Sequence, residues 1–154
     1  MTDHLLINSN IIFEKFIAKL FNTFLPTEPF TYHDGLKPIA FTNNKPNLVS
    51  VEPDILYKGL ETIVFDIKNK DFNKMFSNND FYQLYTYCKA YSTKKGVLIY
   101  PSNENSTSIK VLTSFDNDIT FYAISIDISK SSNTERLGAY NDFLKNIRNV
   151  IHFT

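Results

Sequence analysis

The sequence predicts a mixed α/β fold in which a central mixed sheet is flanked by helices. Apolar residues recur at helical spacing near the start, the middle and the end of the chain, while the segments between them alternate or run apolar as strands do. Helices and strands therefore mix along the whole chain, which is typical of a layered α/β arrangement. The length of 154 residues suits one domain, predicted to span residues 1–154.

The first predicted elements are a helix and a long loop. An amphipathic helix is predicted over residues 11–25, with Asn10 as its N-cap and Pro26 as its stop. Residues 26–46 are polar and rich in turn-forming residues, so we predict a loop there that contains a short strand around residues 39–42.

Two strands follow and together resemble a hairpin. The first is predicted over residues 47–57 and the second over residues 61–68, where β-branched residues are frequent. Pro53 interrupts the first strand, and because proline cannot donate to a ladder it indicates an edge or a bend. Lys58 and Gly59 make the turn, and the polar residues 69–79 are predicted to be irregular.

The second half of the chain continues as a helix, a short strand, a strand pair and a last helix. Asn79 or Asp80 is the predicted cap of the first of these helices, and Pro101 ends the short strand. The predicted ranges are 80–92 and 134–151 for the helices, and 97–100, 108–115 and 119–128 for the strands.

Composition excludes several classes of protein. With 4 glycines and no glycine-rich fingerprint, a phosphate-cradling loop is not expected. The single cysteine, Cys88, excludes an internal disulfide framework and a cysteine-rich metal site; it fits a cytoplasmic protein and is predicted to lie in the core. The longest apolar runs have four residues, whereas a membrane span needs about 20, so no membrane segment is expected.

The chemically informative stretch joins two aspartates and a lysine. Pro53–Asp54 is separated by eleven residues from Asp66–Ile67–Lys68. Residues i and i+2 of a strand share a face, so Asp66 and Lys68 should point the same way. Two aspartates on neighbouring strands can share Mg²⁺, or Mn²⁺ in its place, and the Ile67 carbonyl could add a further oxygen. A nearby lysine can position water and offset the charge that develops in phosphodiester hydrolysis.

Other polar residues could join this group. Gln83 and Tyr87 lie four apart on a predicted helix and share a face, from which they could contact the metal's water shell or the substrate backbone. Glu14 lies off the apolar stripe of the first helix, and Lys70 could reach the group if the strand continued. Plainer interpretations stay open: Gln83 in a capping box with Asp80, Tyr87 in the core, and Glu14 as a surface charge.

The remaining histidines and two lysines have structural or surface interpretations. His4, His33 and His152 are far apart in sequence and show no ligand spacing. Lys94 and Lys95 could meet DNA phosphates or simply be solvated.

The order of these motifs resembles the McrC family, the nuclease subunits of McrBC-type restriction systems. The resemblance covers roughly residues 5–101, and the Gln83/Tyr87 pair is shared with RecB-like nucleases. The matching runs are Leu6-Ile-Asn-Ser-Asn-Ile-Ile-Phe13-Glu14-Lys-Phe16, Asp54 with Asp66-Ile-Lys68, Asp80-Phe-Tyr-Gln83-Leu-Tyr-Thr-Tyr87, and Gly96-Val-Leu-Ile-Tyr-Pro101. The Tyr-Pro ending of the last run is the more McrC-like detail.

This resemblance implies a restriction-endonuclease-like fold of the PD-(D/E)XK kind and Mg²⁺-dependent cleavage of DNA. It implies metal ligation by Asp54 and Asp66 with Lys68 in support, and it makes Glu14 and Gln83 supporting site residues. It also implies an McrB-like AAA+ GTPase motor as a partner. McrC proteins dock onto that motor through an N-terminal domain, whereas this chain starts almost at the nuclease region, so we expect either a shortened chain or a free-standing nuclease.

Charge and symmetry shape the remaining expectations. The 16 basic and 16 acidic residues cancel, so either the basic residues cluster on one face or a partner supplies much of the grip on DNA. Double-strand cleavage would usually require two active sites, which makes a homodimer a candidate assembly. Two other functions stay open: a RecB-like exonuclease or junction resolvase, and a non-catalytic binding or assembly module on the same fold.

Overall fold

The computed structural model describes residues 8–103 and 108–153. Its helices are α1 (Ser9–Phe24), α2 (Asn78–Ala90) and α3 (Asn133–His152), and a short 3₁₀ turn covers Phe72–Lys74. Its strands are β1 (Phe30–Tyr32), β2 (Lys37–Thr42), β3 (Lys45–Val51), β4 (Ile55–Lys58), β5 (Thr62–Ile67), β6 (Lys95–Ser102), β7 (Ile109–Thr113) and β8 (Thr120–Asp127).

The strands of the described ranges form one mixed sheet and one separate ribbon. The main sheet has six strands in the order β1-β4-β5-β6-β8-β7, and β2 pairs with β3 alone. Strands β5, β6 and β8 are parallel to one another, while β1, β4 and β7 run antiparallel to their neighbours. The predicted mixed α/β fold with a restriction-endonuclease-like sheet is therefore confirmed, as are the β4–β5 hairpin and the β7–β8 pair.

Strand parity distributes the side chains of β5 between two layers. Ile63 and Phe65 pack with α1 and α3, whereas Val64 packs with α2 on the opposite face. The Phe65 ring, fully buried, makes an edge contact with Phe21 of α1 at 6.1 Å between centroids. Because Asp66 has the same parity as Val64, it faces α2, and this positions the candidate site.

The helix caps lie two or three residues earlier than predicted. Asn8 rather than Asn10 caps α1, and its side-chain oxygen accepts a hydrogen bond from the Asn10 N–H at 3.1 Å. Ser77 rather than Asn79 or Asp80 caps α2 by accepting from the Asp80 N–H. The Asp80 carboxylate is buried inside the helix's first turn, which is why it is not available for capping.

Pro53 divides the strand predicted over residues 47–57 into two strands that belong to different sheets. Strand β3 pairs with β2 and ends at Val51, while β4 joins the main sheet from Ile55. Within the predicted loop, β2 begins at Lys37, and the three residues of β1 pair with β4. So short a strand is specified by its distant pairing partner rather than by its own sequence.

Strand β6 continues past Pro101, where the sequence predicted its end. The Ile99 carbonyl accepts from the Lys68 N–H at 2.8 Å, so residues 99 and 101 both direct their backbone groups towards β5. Strand β5 has already ended there, at Ile67. The missing N–H of Pro101 therefore interrupts no ladder bond, and β6 pairs with β8 as far as Ser102.

Over the described ranges, none of the helices combines the length and the apolar character that a membrane crossing demands.

Candidate functional site

A cluster of charged and polar side chains lies where β5 ends beneath α2. Asp66 and Lys68 project from the same face of the strand, as their spacing predicted. Asp54 precedes β4, the antiparallel neighbour of β5, and its Oδ2 accepts a hydrogen bond from the Ile67 N–H at 2.6 Å. This backbone bond ties both aspartates to one corner of the sheet.

Lys68 is held between an aspartate and a glutamine. Its Nζ lies 2.5 Å from Asp66 Oδ2 and donates to Gln83 Oε1 at 2.6 Å. Gln83 Nε2 in turn donates to the Tyr87 hydroxyl at 2.7 Å. Because Ser77 caps α2, the alternative of a capping box between Gln83 and Asp80 is wrong. The Gln83 amide instead orients the Lys68 ammonium group. The buried Tyr87 in turn orients the Gln83 amide.

Burial and neighbouring charges shift the pKa of both aspartates. Burial, reinforced by the negative charge of Asp66, raises the pKa of Asp54 to about 7, although the Ile67 N–H opposes the rise. Burial also raises the pKa of Asp66, which is 3% exposed, against the opposing charge of Lys68. The negative charge of Asp66 therefore disfavours ionisation of Asp54, and further positive charge beside the pair would favour it.

The Ile67 carbonyl has the orientation expected of a further oxygen donor. The N–H and C=O of a strand residue point to the same side, and the Ile67 N–H is bonded to Asp54. The antiparallel register of β4 and β5 pairs Ile55 with Phe65. If this register is extended by two residues beyond Phe65, Ile67 faces Pro53. Proline has no N–H to occupy the Ile67 carbonyl. The proline of this motif thus leaves a backbone oxygen available beside the two carboxylates.

Glu14 reaches the cluster from α1, and it brings a residue that the sequence interpretation missed. The Glu14 carboxylate forms a short ion pair with the His33 Nε2, and this contact raises the pKa of His33. The His33 N–H donates to the Asp54 carbonyl at 3.1 Å. One ligand atom each from Glu14, His33 and Asp54 lies within 4.8 Å of the others. Sequence spacing carried no signal for His33, because a turn between distant segments places it there.

The other two histidines stand apart from the cluster. His152 pairs with Glu28 at 2.9 Å, in keeping with its surface interpretation. His4 lies outside the described residues.

Three lysines that could have met metal or DNA have other partners. Strand β5 ends at Ile67, and Lys70, which lies beyond it, pairs with Asp80 at 2.5 Å. Lys95 is buried and pairs with Glu61 at 2.5 Å, so its interpretation as a DNA contact is wrong. Lys94 is exposed, and its Nζ lies 3.8 Å from Oδ1 of Asp118, which is in the turn between β7 and β8.

Comparison with known proteins identifies the family. A family model described as McrBC 5-methylcytosine restriction system component matches residues 2–101. The fold is similar to that of a chain in a Thermococcus gammatolerans assembly of McrB AAA+ hexamers with bound McrC, with 19% sequence identity and a TM-score of 0.63. That likeness covers 90% of this chain and 33% of the other, so this chain spans about a third of its length. No curated protein gives a significant match. Since the family match takes in both aspartates, the lysine and the Gln83/Tyr87 pair, and more than half of the sequence, the chain belongs to the McrBC family of 5-methylcytosine restriction system components, as the resemblance predicted.

Proposed function

We propose that this chain is the nuclease component of a restriction system, a Mg²⁺-dependent DNA endonuclease of the PD-(D/E)XK kind. The observation that carries the proposal is the convergence of Asp54, Asp66 and Lys68 at one corner of the sheet, with Lys68 Nζ 2.5 Å from Asp66. Carboxylates beside a fixed ammonium group suit hydrolysis of a phosphodiester, in which negative charge builds up on the phosphate.

The donor set fits a hard divalent cation. Asp54 and Asp66 would hold it, with the Ile67 carbonyl and Glu14 as further oxygens, and Mn²⁺ could substitute for Mg²⁺. The raised pKa of Asp54, about 7, supports this assignment, since a half-buried carboxyl beside the buried Asp66 is costly to ionise without a cation. When bound, such an ion polarises the phosphate and makes its water a better nucleophile.

The chain's own residues then supply orientation and charge. As water adds to phosphorus and the ester oxygen leaves, the Lys68 ammonium offsets the negative charge on the phosphate oxygens. Its position is restricted by Asp66 on one side and by Gln83 on the other, 2.6 Å away. The Tyr87 hydroxyl fixes the Gln83 amide, so Lys68 is orientated before substrate arrives.

We propose also that the nuclease acts with an McrB-like AAA+ partner. A chain with zero net charge has little general attraction for DNA, so a partner that grips DNA would supply what this chain lacks. The similar fold found in the assembly of McrB AAA+ hexamers with bound McrC supports this partnership.

A nuclease assay on supercoiled plasmid tests the proposal. The wild-type chain, with and without an McrB-like AAA+ partner, is incubated with Mg²⁺, Mn²⁺ or EDTA and compared with Asp66→Ala. We expect metal-dependent nicking or linearisation that disappears in Asp66→Ala and persists in Asp142→Asn, which changes an exposed aspartate of α3. Closed circular DNA also separates an endonuclease from an exonuclease that needs a free end.

Two outcomes of the assay would overturn the proposal. One is cleavage that survives in a folded Asp66→Ala protein, and the other is an absence of cleavage in every metal when the partner is present. Circular dichroism of each variant establishes that the protein is folded.

A further inference from the structure

We infer that His33 is a nitrogen ligand of the metal centre, acting together with Glu14 and Asp54, and that it makes the centre prefer Mn²⁺ to Mg²⁺. The inference rests on the proposed function in so far as that function places a divalent ion beside Asp54. It goes further by adding a ligand and a metal preference that an all-oxygen site would not have.

Three separate segments of the chain converge on this site. Glu14 comes from α1, His33 follows β1 and Asp54 precedes β4, so three separate segments bring these side chains together. One ligand atom from each lies within 4.8 Å of the others. The same three residues line a partly open cavity of about 200 Å³, whose other lining residues are Lys15, Ala18, Tyr32 and Ile55. A carboxylate, an imidazole and a second carboxylate around one space form a mixed nitrogen and oxygen donor set.

The backbone holds His33 in an unusual conformation. Its φ of 44° lies in the left-handed region, which costs a residue with a side chain about 1 kcal/mol. Its N–H donates to the Asp54 carbonyl at 3.1 Å, so the conformation is fixed against the segment that carries the metal-binding aspartate. Strained conformations of this kind persist where the surroundings impose them, and they concentrate at functional sites.

A plain histidine–carboxylate ion pair is the competing interpretation, and the chain offers one for comparison. His152 Nε2 lies 2.9 Å from Glu28 Oε1, so its chemistry matches that of His33 with Glu14. In the part of the chain that the structure describes, that pair gains no third ligand, whereas the Glu14–His33 pair gains Asp54. The third ligand is what distinguishes a metal site from an ion pair.

The metal preference follows from the nitrogen. Mg²⁺ prefers oxygen ligands and gives up water reluctantly, whereas imidazole binds later divalent metals well and Mn²⁺ accepts both donor types. We therefore expect Mn²⁺ to bind at least about 10-fold more tightly than Mg²⁺, and His33→Asn to weaken Mn²⁺ binding by about 10-fold or more while leaving Mg²⁺ binding nearly unchanged. Asparagine is the suitable replacement because it tolerates the left-handed backbone.

Pulsed electron paramagnetic resonance of the full chain loaded with Mn²⁺ tests the ligand directly. A metal-bound imidazole produces nitrogen modulation of the electron spin echo. We expect that modulation in the wild type and in His152→Asn, and its loss in His33→Asn. Calorimetric titrations of Mn²⁺ and Mg²⁺ into the same three proteins measure the preference, and titrations into Asp66→Ala show whether binding depends on Asp66.

The outcomes separate this inference from the proposed function. Suppose that Mn²⁺ binding depends on Asp66 but gives no nitrogen modulation, or gives modulation that survives in His33→Asn. Either result would overturn the role of His33 and leave the proposed function standing. Wild-type protein that binds no Mn²⁺ would overturn both, whereas His33-dependent nitrogen modulation that persists in Asp66→Ala would overturn only the assignment of Asp66 as a ligand in the proposed function.

Discussion

The Asp54 carboxyl should make the metal-free protein less stable as the pH rises. Its pKa is raised from 3.8 to about 7 in the folded protein, chiefly by burial and then by Asp66. A carboxyl whose pKa is raised by folding favours the folded state when protonated, and this contribution is lost as the pH rises through the folded value. At about 1.4 kcal/mol per pH unit, the loss between pH 4 and pH 7 reaches about 4 kcal/mol.

Replacing Asp54 by Asn should remove that loss. The asparagine carbonyl can still accept from the Ile67 N–H, so the 2.6 Å bond that anchors the residue has a counterpart in the variant. Because Asp54 is partly exposed and its pKa depends on the charge of Asp66, we expect about half to all of the full effect, which is about 2–4 kcal/mol. At pH 8 in EDTA, Asp54→Asn should therefore be more stable than the wild type.

Urea unfolding at pH 5 and pH 8 in EDTA measures this effect. For a chain of this size the expected gain corresponds to a midpoint about 1–2 M higher in urea at pH 8, and to a smaller difference at pH 5. Asp142→Asn, on the exposed face of α3, is the control and should follow the wild type at both pH values. Addition of Mg²⁺ should narrow the gap, because it stabilises only a protein that binds it. An Asp54→Asn protein that is less stable than the wild type at pH 8, or that keeps the same pH dependence, would refute the reasoning.

Three further predictions concern Gln83 and two glycines, Gly96 and Gly138. Gln83→Leu should slow cleavage about 10- to 100-fold without loss of metal binding, because Lys68 loses a hydrogen-bond acceptor at 2.6 Å that is worth about 1.5–3 kcal/mol. Single-turnover cleavage measures the rate and calorimetry measures metal binding. An unchanged cleavage rate would contradict this prediction. Gly96→Ala should destabilise the protein by about 1–3 kcal/mol, because the new Cβ would lie 2.7 Å from the Cys88 Sγ. Gly138→Ala, in open space within α3, should instead stabilise it by about 0.5–1 kcal/mol. Urea unfolding of the two glycine variants should move in opposite directions, and a common direction would count against this packing.

Much of the site was predictable because strand and helix periodicity are local rules. The two-residue spacing of Asp66 and Lys68 placed both on one face, and the four-residue spacing of Gln83 and Tyr87 placed them together on α2. Pro53 predicts an interruption of the strand because it lacks an N–H, and β3 and β4 are separated there. In each case the period of an element decided the geometry, and no distant contact was needed.

The parts that escaped prediction depend on contacts between distant segments. His33 meets Glu14 only because β1 pairs with β4, and a strand of three residues has too little pattern to reveal itself. Lys95 looks solvated in sequence, yet the end of α3 and Glu61 enclose it. Lys70 would have shared the face of Asp66 in a longer strand, but β5 ends first. Tertiary pairing and the exact end of a strand are not encoded in local periodicity.

Anomalous diffraction from crystals of the chain grown with Mn²⁺ tests the central claim most directly, because it locates the ion without reference to activity. The account predicts a strong anomalous peak in contact with the carboxylates of Asp54 and Asp66, and the loss of that peak in Asp66→Asn. An ordered Mn²⁺ bound elsewhere, or no peak at a Mn²⁺ concentration that supports plasmid cleavage, would contradict the assignment of these aspartates as the metal centre.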